Sequence, residues 1–361
     1  MNKQWTCEQA NEWYKKLGWL RGCNFIGSDC ANRLDMFQQY KSEEKLKTAE
    51  RELALCQEIG FNTVRLWANF DVYYAEPESY MEIFEKYISL CAKYGQKVMV
   101  VLTHEEDLPR GEKFVPKAMG EQKYALGYHQ GRFPLTEEEK AIPVRHYYEY
   151  PELKETFLEF IRKTVRRYKN DERVFCWNLY NEPNNQISDE RAIAILKTLF
   201  EIVREEDPIQ PLTADVWRGV KDGEVVSDAG KYALEMSDVI SFHCYSRYEK
   251  LVPELRFYQK LNRPIFLTEW LNRILNNNVA EVYPLLYITN VSNYCWGFVL
   301  GKTQTNEPWD TLWADLEKGE GSNYDFTKWM HDLFRPSLFP YDPKEIEIIK
   351  KFNKLAEQEG R

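Results

Sequence analysis

Long apolar runs are missing from this chain of 361 residues: no stretch approaches the roughly eighteen consecutive apolar residues of a membrane-spanning helix. The amino terminus, Met1-Asn2-Lys3-Gln4-Trp5-Thr6-Cys7-Glu8, likewise lacks the apolar segment of a secretory signal. Together these absences predict a cytoplasmic protein with no membrane partner. No block of Lys and Arg is long enough to offset locally a formal net charge of −9, which argues against phosphate backbones and so against a nucleic-acid partner. The 8 cysteines show no paired spacing, and Cys23, Cys176, Cys244 and Cys295 fall within apolar runs, so they read as reduced, buried thiols. Only 5 histidines occur, none spaced as His-x-x-x-His, and no acidic loop carries the calcium pattern; no metal and no cofactor is expected. The run Glu105-Glu106-Asp107 reads as solvated or sugar-binding rather than as a cation cage. A Gly-rich phosphate turn is absent too, since Gly27-Ser28-Asp29-Cys30 after the first apolar run is no dinucleotide fingerprint.

What is present is ordinary in bulk and rich in rings. Hydrophobic residues at 43% with 29% charged predict a soluble globular protein with a large core. Aromatic residues reach 15%, with 11 Trp and 23 Tyr, so some are expected to line a groove while others fill the interior.

Eight short apolar runs recur along the chain, at 19–26, 62–68, 97–103, 174–182, 211–217, 239–245, 264–270 and 294–300. Most are continuous rather than alternating, as in Val98-Met99-Val100-Val101-Leu102, the pattern of parallel strands buried on both faces. Between them lie segments of helical period, such as Leu46, Ala49, Leu53 and Cys56, or Ile83, Tyr87, Leu90 and Tyr94. Gly60 and Gly95 mark helix ends, and Tyr150-Pro151-Glu152 marks a helix start. Right-handed crossovers turn such a string into an open sheet or a closed barrel, and a count of eight predicts a (β/α)8 TIM barrel. Residues 1–361 are expected to form one domain with an amino-terminal and a carboxyl-terminal helix packed outside. Two connections are enlarged, 104–150 after the third strand and 305–340 after the eighth. They carry Tyr124, Tyr128, His129, His146, Tyr147, Tyr148, Trp309, Trp313 and Trp329, and read as substrate walls. A homo-oligomer contact on these loops is compatible with the same residues.

Chemistry concentrates at strand ends. Trp177-Asn178-Leu179-Tyr180-Asn181-Glu182-Pro183 and Ile265-Phe266-Leu267-Thr268-Glu269-Trp270 each place a glutamate at the end of an apolar run. The carboxyl ends of barrel strands form the mouth where α/β barrels do their chemistry. Two carboxylates there suit the splitting of a glycosidic bond, one protonating the leaving oxygen while the other attacks, or directs water, at the sugar carbon opposite.

Arg65 on strand two, His104 at the end of strand three, Asn181-Glu182 on four, His243-x-Tyr245 on six, Glu269 on seven and Trp296 on eight complete a pattern that resembles the retaining glycosidases of clan A, most closely glycoside hydrolase family 5. The resemblance spans nearly the whole chain. It implies that Glu182 is the acid/base, starting protonated, and that Glu269 is the nucleophile, kept ionised by Arg65 and the Tyr245 hydroxyl. It further implies that Asn181 bonds the hydroxyl beside the reacting carbon, that Trp296 floors the sugar, and that His104 and His243 bind hydroxyls or orient Glu182. Trp67, Trp217 and Trp270 are further platform candidates. Lys302, in the unfamiliar segment Gly301-Lys302-Thr303-Gln304, is a candidate contact for a sugar substituent.

The partner implied is an oligosaccharide substrate. With no export signal in view, short oligosaccharides are expected, and exo action of β-mannosidase type is the reading preferred for them. An endo-acting β-1,4-glucanase, xylanase or mannanase is the alternative. A barrel that binds carbohydrate but has lost catalysis is the alternative of another class.

Overall fold

The computed structural model describes residues 3–361. Its main sheet is wholly parallel and runs through β1 (Arg21–Asn24), β2 (Thr63–Trp67), β3 (Lys97–Val101), β4 (Val174–Asn178), β5, β6 (Ile240–His243), β7 (Ile265–Trp270) and β8 (Ser292–Cys295). β5 comes in two pieces, Leu212–Thr213 and Asp215–Val216; the first pairs with β4 and the second with β6. Because β1 pairs with both β2 and β8, this split strand closes the ring, and the molecule is a (β/α)8 barrel.

Three strands differ from the apolar runs that foretold them. The predicted fifth strand is broken at Ala214. β4 stops at Asn178 rather than Glu182; beyond it the chain stays near β3 through a single bridge between His104 and Asn181. β8 lies earlier than 294–300, because Gly297 takes φ 75° and turns the chain after Trp296. A side chain on Gly297 would also meet Asp332, whose Oδ1 lies 2.5 Å from the position of its Cβ.

Helices follow the strands in turn. Ser42–Glu58 buries Leu46, Ala49, Leu53 and Cys56, and Pro77–Lys93 opens with proline where its missing N–H is not needed. The last helix, Pro343–Gln358, stands where β8 requires its own helix: Asn353 takes a bond from Tyr283 at 2.6 Å and donates to the Ile59 carbonyl at 2.7 Å. It thus fills the ring between the seventh barrel helix, Val279–Ile288, and the first, Ser42–Glu58. The amino-terminal helix, Cys7–Leu17, lies under the barrel, with Trp13 stacked on Phe175 at 6.2 Å and Tyr14 edge-on to Phe266 at 5.7 Å.

At the opposite end the two enlarged connections meet. Gln304 donates to the Ala125 carbonyl at 2.5 Å and accepts from the Gly127 amide at 2.7 Å. His129 donates from Nδ1 to the Glu307 carbonyl at 2.8 Å. Gly131, at φ 62°, lets the backbones touch, since a Cβ there would lie 2.7 Å from the Lys302 carbonyl oxygen.

Candidate active site

β2 alternates strictly, so Thr63, Arg65 and Trp67 share one face and Arg65 points into the barrel. Its guanidinium is fully buried and forked: Nη1 donates to Asn24 at 2.9 Å and to Glu269 at 3.0 Å, and Nη2 donates to Asn181 at 2.8 Å and to Asp215 at 2.7 Å. β7 breaks its alternation. Its register against both neighbours shifts after Leu267, and the irregularity turns two consecutive side chains to the same interior. Thr268 donates to Asp215 at 2.8 Å, and Glu269 bonds Arg65. Trp270 then faces outward, its indole N–H on Asn293 at 3.2 Å and its ring 6.0 Å from Tyr283 of the seventh helix.

Glu182 lies four residues beyond β4 at φ 47°, a left-handed conformation that a non-glycine residue holds only under constraint. The constraint is Glu105. This carboxylate, 1% exposed, accepts from the Tyr180 hydroxyl and from the amides of Asn184, Gln186 and Ile187, and so pins the loop carrying Glu182. The run Glu105-Glu106-Asp107, read as solvated or sugar-binding, thus divides its duties. Glu106 lines the catalytic cavity and is ion-paired with Arg33, while Asp107 pairs with Arg132 at 3.0 Å.

Glu182 and Glu269 face each other with His243 between them. Each of the three offers an atom, and these atoms lie within 4.8 Å of one another. His243 donates from Nδ1 to Glu182 at 2.7 Å, Asn185 supplies a second bond to Glu182 at 2.6 Å, and the Tyr245 hydroxyl donates to Glu269 at 2.8 Å. Burial opposes a charge on His243, but Glu269 and Asp215 outweigh it and raise its pKa to about 10. Burial likewise opposes the charge of Asp215, yet Arg65 and His243 hold it well below the usual carboxylate range. Burial pushes Glu269 up to about 7; the Glu182 charge adds to this, and His243 and Arg65 pull against it. Three acids (Asp215, Glu182, Glu269) against two cations (Arg65, His243) leave one negative charge in excess, which a single proton on the glutamate pair removes.

Around the pair is a cavity of about 530 Å³ that reaches Glu106, Trp217, Arg218, Trp296, Trp309 and His331. A second cavity, also about 530 Å³, shares Trp296 and Gln130 with it and holds Arg33, His104 and Lys117. His104 is kept neutral, burial lowering its pKa to about 3 with help from Arg33. Trp296, 4% exposed, stands edge-on to Trp67 at 5.7 Å. Trp67 is itself sandwiched by the guanidiniums of Arg33 at 4.1 Å and Arg65 at 4.6 Å, which makes it packing beneath the site. Trp217 is at the rim, tied by its N–H to the Pro183 carbonyl at 2.9 Å with Arg218 over its ring. Lys302 lines neither cavity; it belongs to a shallow depression with Arg51 and Tyr124. Asp215, Asn24 and His331 were not singled out from the sequence. Asp215 had a signal, an acid inside the apolar run Leu212-Thr213-Ala214-Asp215-Val216; His331 had none.

A closed barrel with two carboxylates paired at its mouth defines the class: a retaining glycoside hydrolase. The family is shown directly, because the model described as Cellulase (glycosyl hydrolase family 5) matches residues 22–284, and the chain belongs to that family. Among solved structures, the chain is similar to an endo-β-1,4-mannanase from Thermotoga petrophila, at 13% identity and TM-score 0.59, over 95% of this chain and 78% of that one. It is similar to an exo-β-1,4-mannosidase from Opitutaceae bacterium strain TAV5, at 14% identity and TM-score 0.58, over 94% of this chain and 60% of that one. It also resembles a GH5_18 variant from Streptomyces cattleya in complex with Manb1-4GlcNAc, at 11% identity and TM-score 0.60, over 93% and 80%. At these identities the likeness is one of fold. No curated protein matches the sequence.

Proposed function

We propose that the chain removes single sugars from short β-mannosides by double displacement, with Glu269 as nucleophile and Glu182 as acid/base. The observation that carries this reading is the approach of the two carboxylates, whose facing atoms lie within 4.8 Å of each other. Retaining enzymes hold their carboxyl groups about 5 to 5.5 Å apart, and inverting ones about 6.5 to 9.5 Å, to admit a water. Arg65 and Tyr245 donate to Glu269 and support its anionic form as nucleophile, while His243 and Asn185 hold Glu182, which in this reading carries the shared proton once a sugar is bound. Asn181, its carbonyl oxygen taken by Arg65, keeps its amide hydrogens for the hydroxyl next to the reacting carbon. Trp296 serves as the floor of that sugar. Exo action is supported by the meeting of the two enlarged connections, which walls the cavity where Gln130, His129 and Trp309 stand. The mannoside assignment is supported by neighbours whose names carry mannanase and mannosidase activity.

One observation favours the endo reading: the second cavity beyond Trp296 has room for a further sugar. The two separate on end-labelled β-1,4-mannohexaose, from which the exo enzyme releases mannose alone and the endo enzyme releases internal fragments. A panel of aryl β-glycosides followed by trapping with the matching 2-deoxy-2-fluoro glycoside tests the mechanism. Label is expected on Glu269, and label elsewhere defeats the assignment. For Glu182→Ala, substrates with good leaving groups are expected to form the intermediate and azide to rescue turnover.

A further inference from the structure

The second cavity, at about 530 Å³, falls within the range of about 300–1,000 Å³ common for small-ligand sites, and it is positive in a chain whose formal net charge is −9. Arg33, Arg110, Lys117, Lys123 and Arg132 line it, against two acids, Asp71 and Asp107. Ion pairs use up the acids. Asp71 bonds Lys117 at 2.9 Å, Asp107 bonds Arg132 at 3.0 Å, and Glu106, from the catalytic cavity, holds Arg33. Arg110 and Lys123 form no ion pair among the described residues. Arg110 donates to the Ile142 carbonyl at 2.9 Å, which leaves its charge uncompensated. Even with Glu106 counted, five cations face three acids, and two positive charges stand in excess.

These cations are open to a ligand: Lys123 and Arg132 are exposed, and Arg110 and Lys117 are half-buried. Phe133, 58% exposed on the same wall, offers an apolar ring face to a sugar. The positive field reaches the catalytic cavity, since burial opposes the charge of Glu106, yet Arg33 and Arg132 bring its pKa down to about 2. The lining also places the cavity relative to the bond that is cut. It is built chiefly from the loops after β1, β2, β3 and β8, whereas Glu182, Asn185 and Trp217 stand in the catalytic cavity alone. An acid/base must face the leaving oxygen, so the departing group lies toward Glu182 and Trp217. The second cavity receives what the retained sugar projects past Trp296.

We propose that the second cavity is a subsite for an anionic substituent, a carboxylate, phosphate or sulfate carried by the retained sugar or by the unit attached to it, with Arg110 and Lys123 as the free cations that bind it. The inference rests on the assignment of the Glu182 and Glu269 pair and deepens it by naming the substrate class, an acidic β-glycoside. The planar fork of arginine suits an oxyanion, lysine adds a point charge, and a cleft lined by one sign of charge concentrates ligands of the other.

The test takes whichever of 4-nitrophenyl β-mannoside and β-glucoside the enzyme hydrolyses faster and compares it with its 6-phosphate, its 6-sulfate and its uronide. At low ionic strength at least one anionic glycoside is expected to exceed the neutral one in kcat/KM by about 10-fold or more, and added salt to narrow the gap. The favoured member of the three identifies the anion. Arg110→Gln and Lys123→Gln are each expected to lower the ratio of anionic to neutral kcat/KM about 5- to 10-fold. Lys302→Gln, which removes a cation outside both cavities, is expected to leave that ratio unchanged. Calorimetric Kd values for the same four glycosides on Glu269→Gln give the ratio without turnover. A neutral glycoside equal to or better than all three anions, or a ratio untouched by both cavity variants, overturns the proposal. Fluoro-sugar label on a residue other than Glu269 defeats the catalytic assignment instead, while the Kd ratio still decides the subsite.

Discussion

At the carboxyl ends of the staves the barrel encloses Arg65, Asp215, His243 and Glu269, none more than 5% exposed; at the amino ends it encloses Met99, Phe175, Cys176, Phe266 and Tyr294, none more than 3% exposed. β7 contributes to both ends, Phe266 to one and Glu269 to the other, three positions apart. Burial is alike and content is opposite. Under the barrel, rings from Cys7–Leu17 seal an apolar floor, so removing a side chain there removes cohesion. At the mouth, burial makes charges interact strongly and leaves one negative charge in excess, which is useful chemistry and poor cohesion. One end holds the fold and the other uses it.

The comparison can be broken most severely at Glu269, the proposed nucleophile. Glu269→Ala is expected to lower kcat on an aryl glycoside by at least about 10⁴-fold. Its melting temperature should stay level or rise, since three acids against two cations become two against two; a fall of many degrees would make Glu269 structural. Arg65→Met joins the two effects. It strips Asp215 and Glu269 of their buried cation, and a stability loss of about 3–5 kcal/mol by chemical denaturation should accompany loss of activity. At the floor, Trp13→Ala is expected to cost up to about 3–5 kcal/mol of stability while kcat at 25 °C changes little. A variant that instead lost turnover at full stability would show that the two ends are coupled.

Acidity sharpens the picture without mutation. Glu269 is raised from the ordinary range to about 7, so the pair retains its shared proton below that pH and loses it above. The profile of kcat/KM should fall as pH rises through about 7, and in Glu182→Gln, assayed with a good leaving group, that alkaline limb should vanish. The smallest effect is expected at Lys302→Ala, whose side chain lies in a depression apart from both cavities; kcat/KM should change less than about twofold.

Legibility followed the same division. Strand number and order were readable because parallel strands buried on both faces leave continuous apolar runs, and helices covering them leave residues such as Leu46, Ala49 and Leu53 at helical steps. Glu182 and Glu269 were readable as carboxylates that an apolar strand has no reason to end on. Less visible were the places where backbone geometry overrides periodicity. Strict alternation cannot put Thr268 and Glu269 on one side of β7, and only the irregularity after Leu267 does so. Trp67, Trp270 and Trp296 look alike in sequence; one is clamped between arginines, one faces a helix, and one borders two cavities.

The sequence by itself determined the eight-fold alternation, the family pattern from Arg65 to Trp296, and which acids stand at or just beyond strand ends, because these depend on residue type and spacing along one segment. Only the tertiary structure decided that Glu105 pins the Glu182 loop, that Asp215 completes the charge cluster, and that His129 and His331 meet across the cavity. Those relations join residues from 28 to 202 positions apart through turns, a strand irregularity and loop docking, and the energy of a buried charge or an unpaired nitrogen depends on what surrounds it in space rather than on its neighbours in the chain.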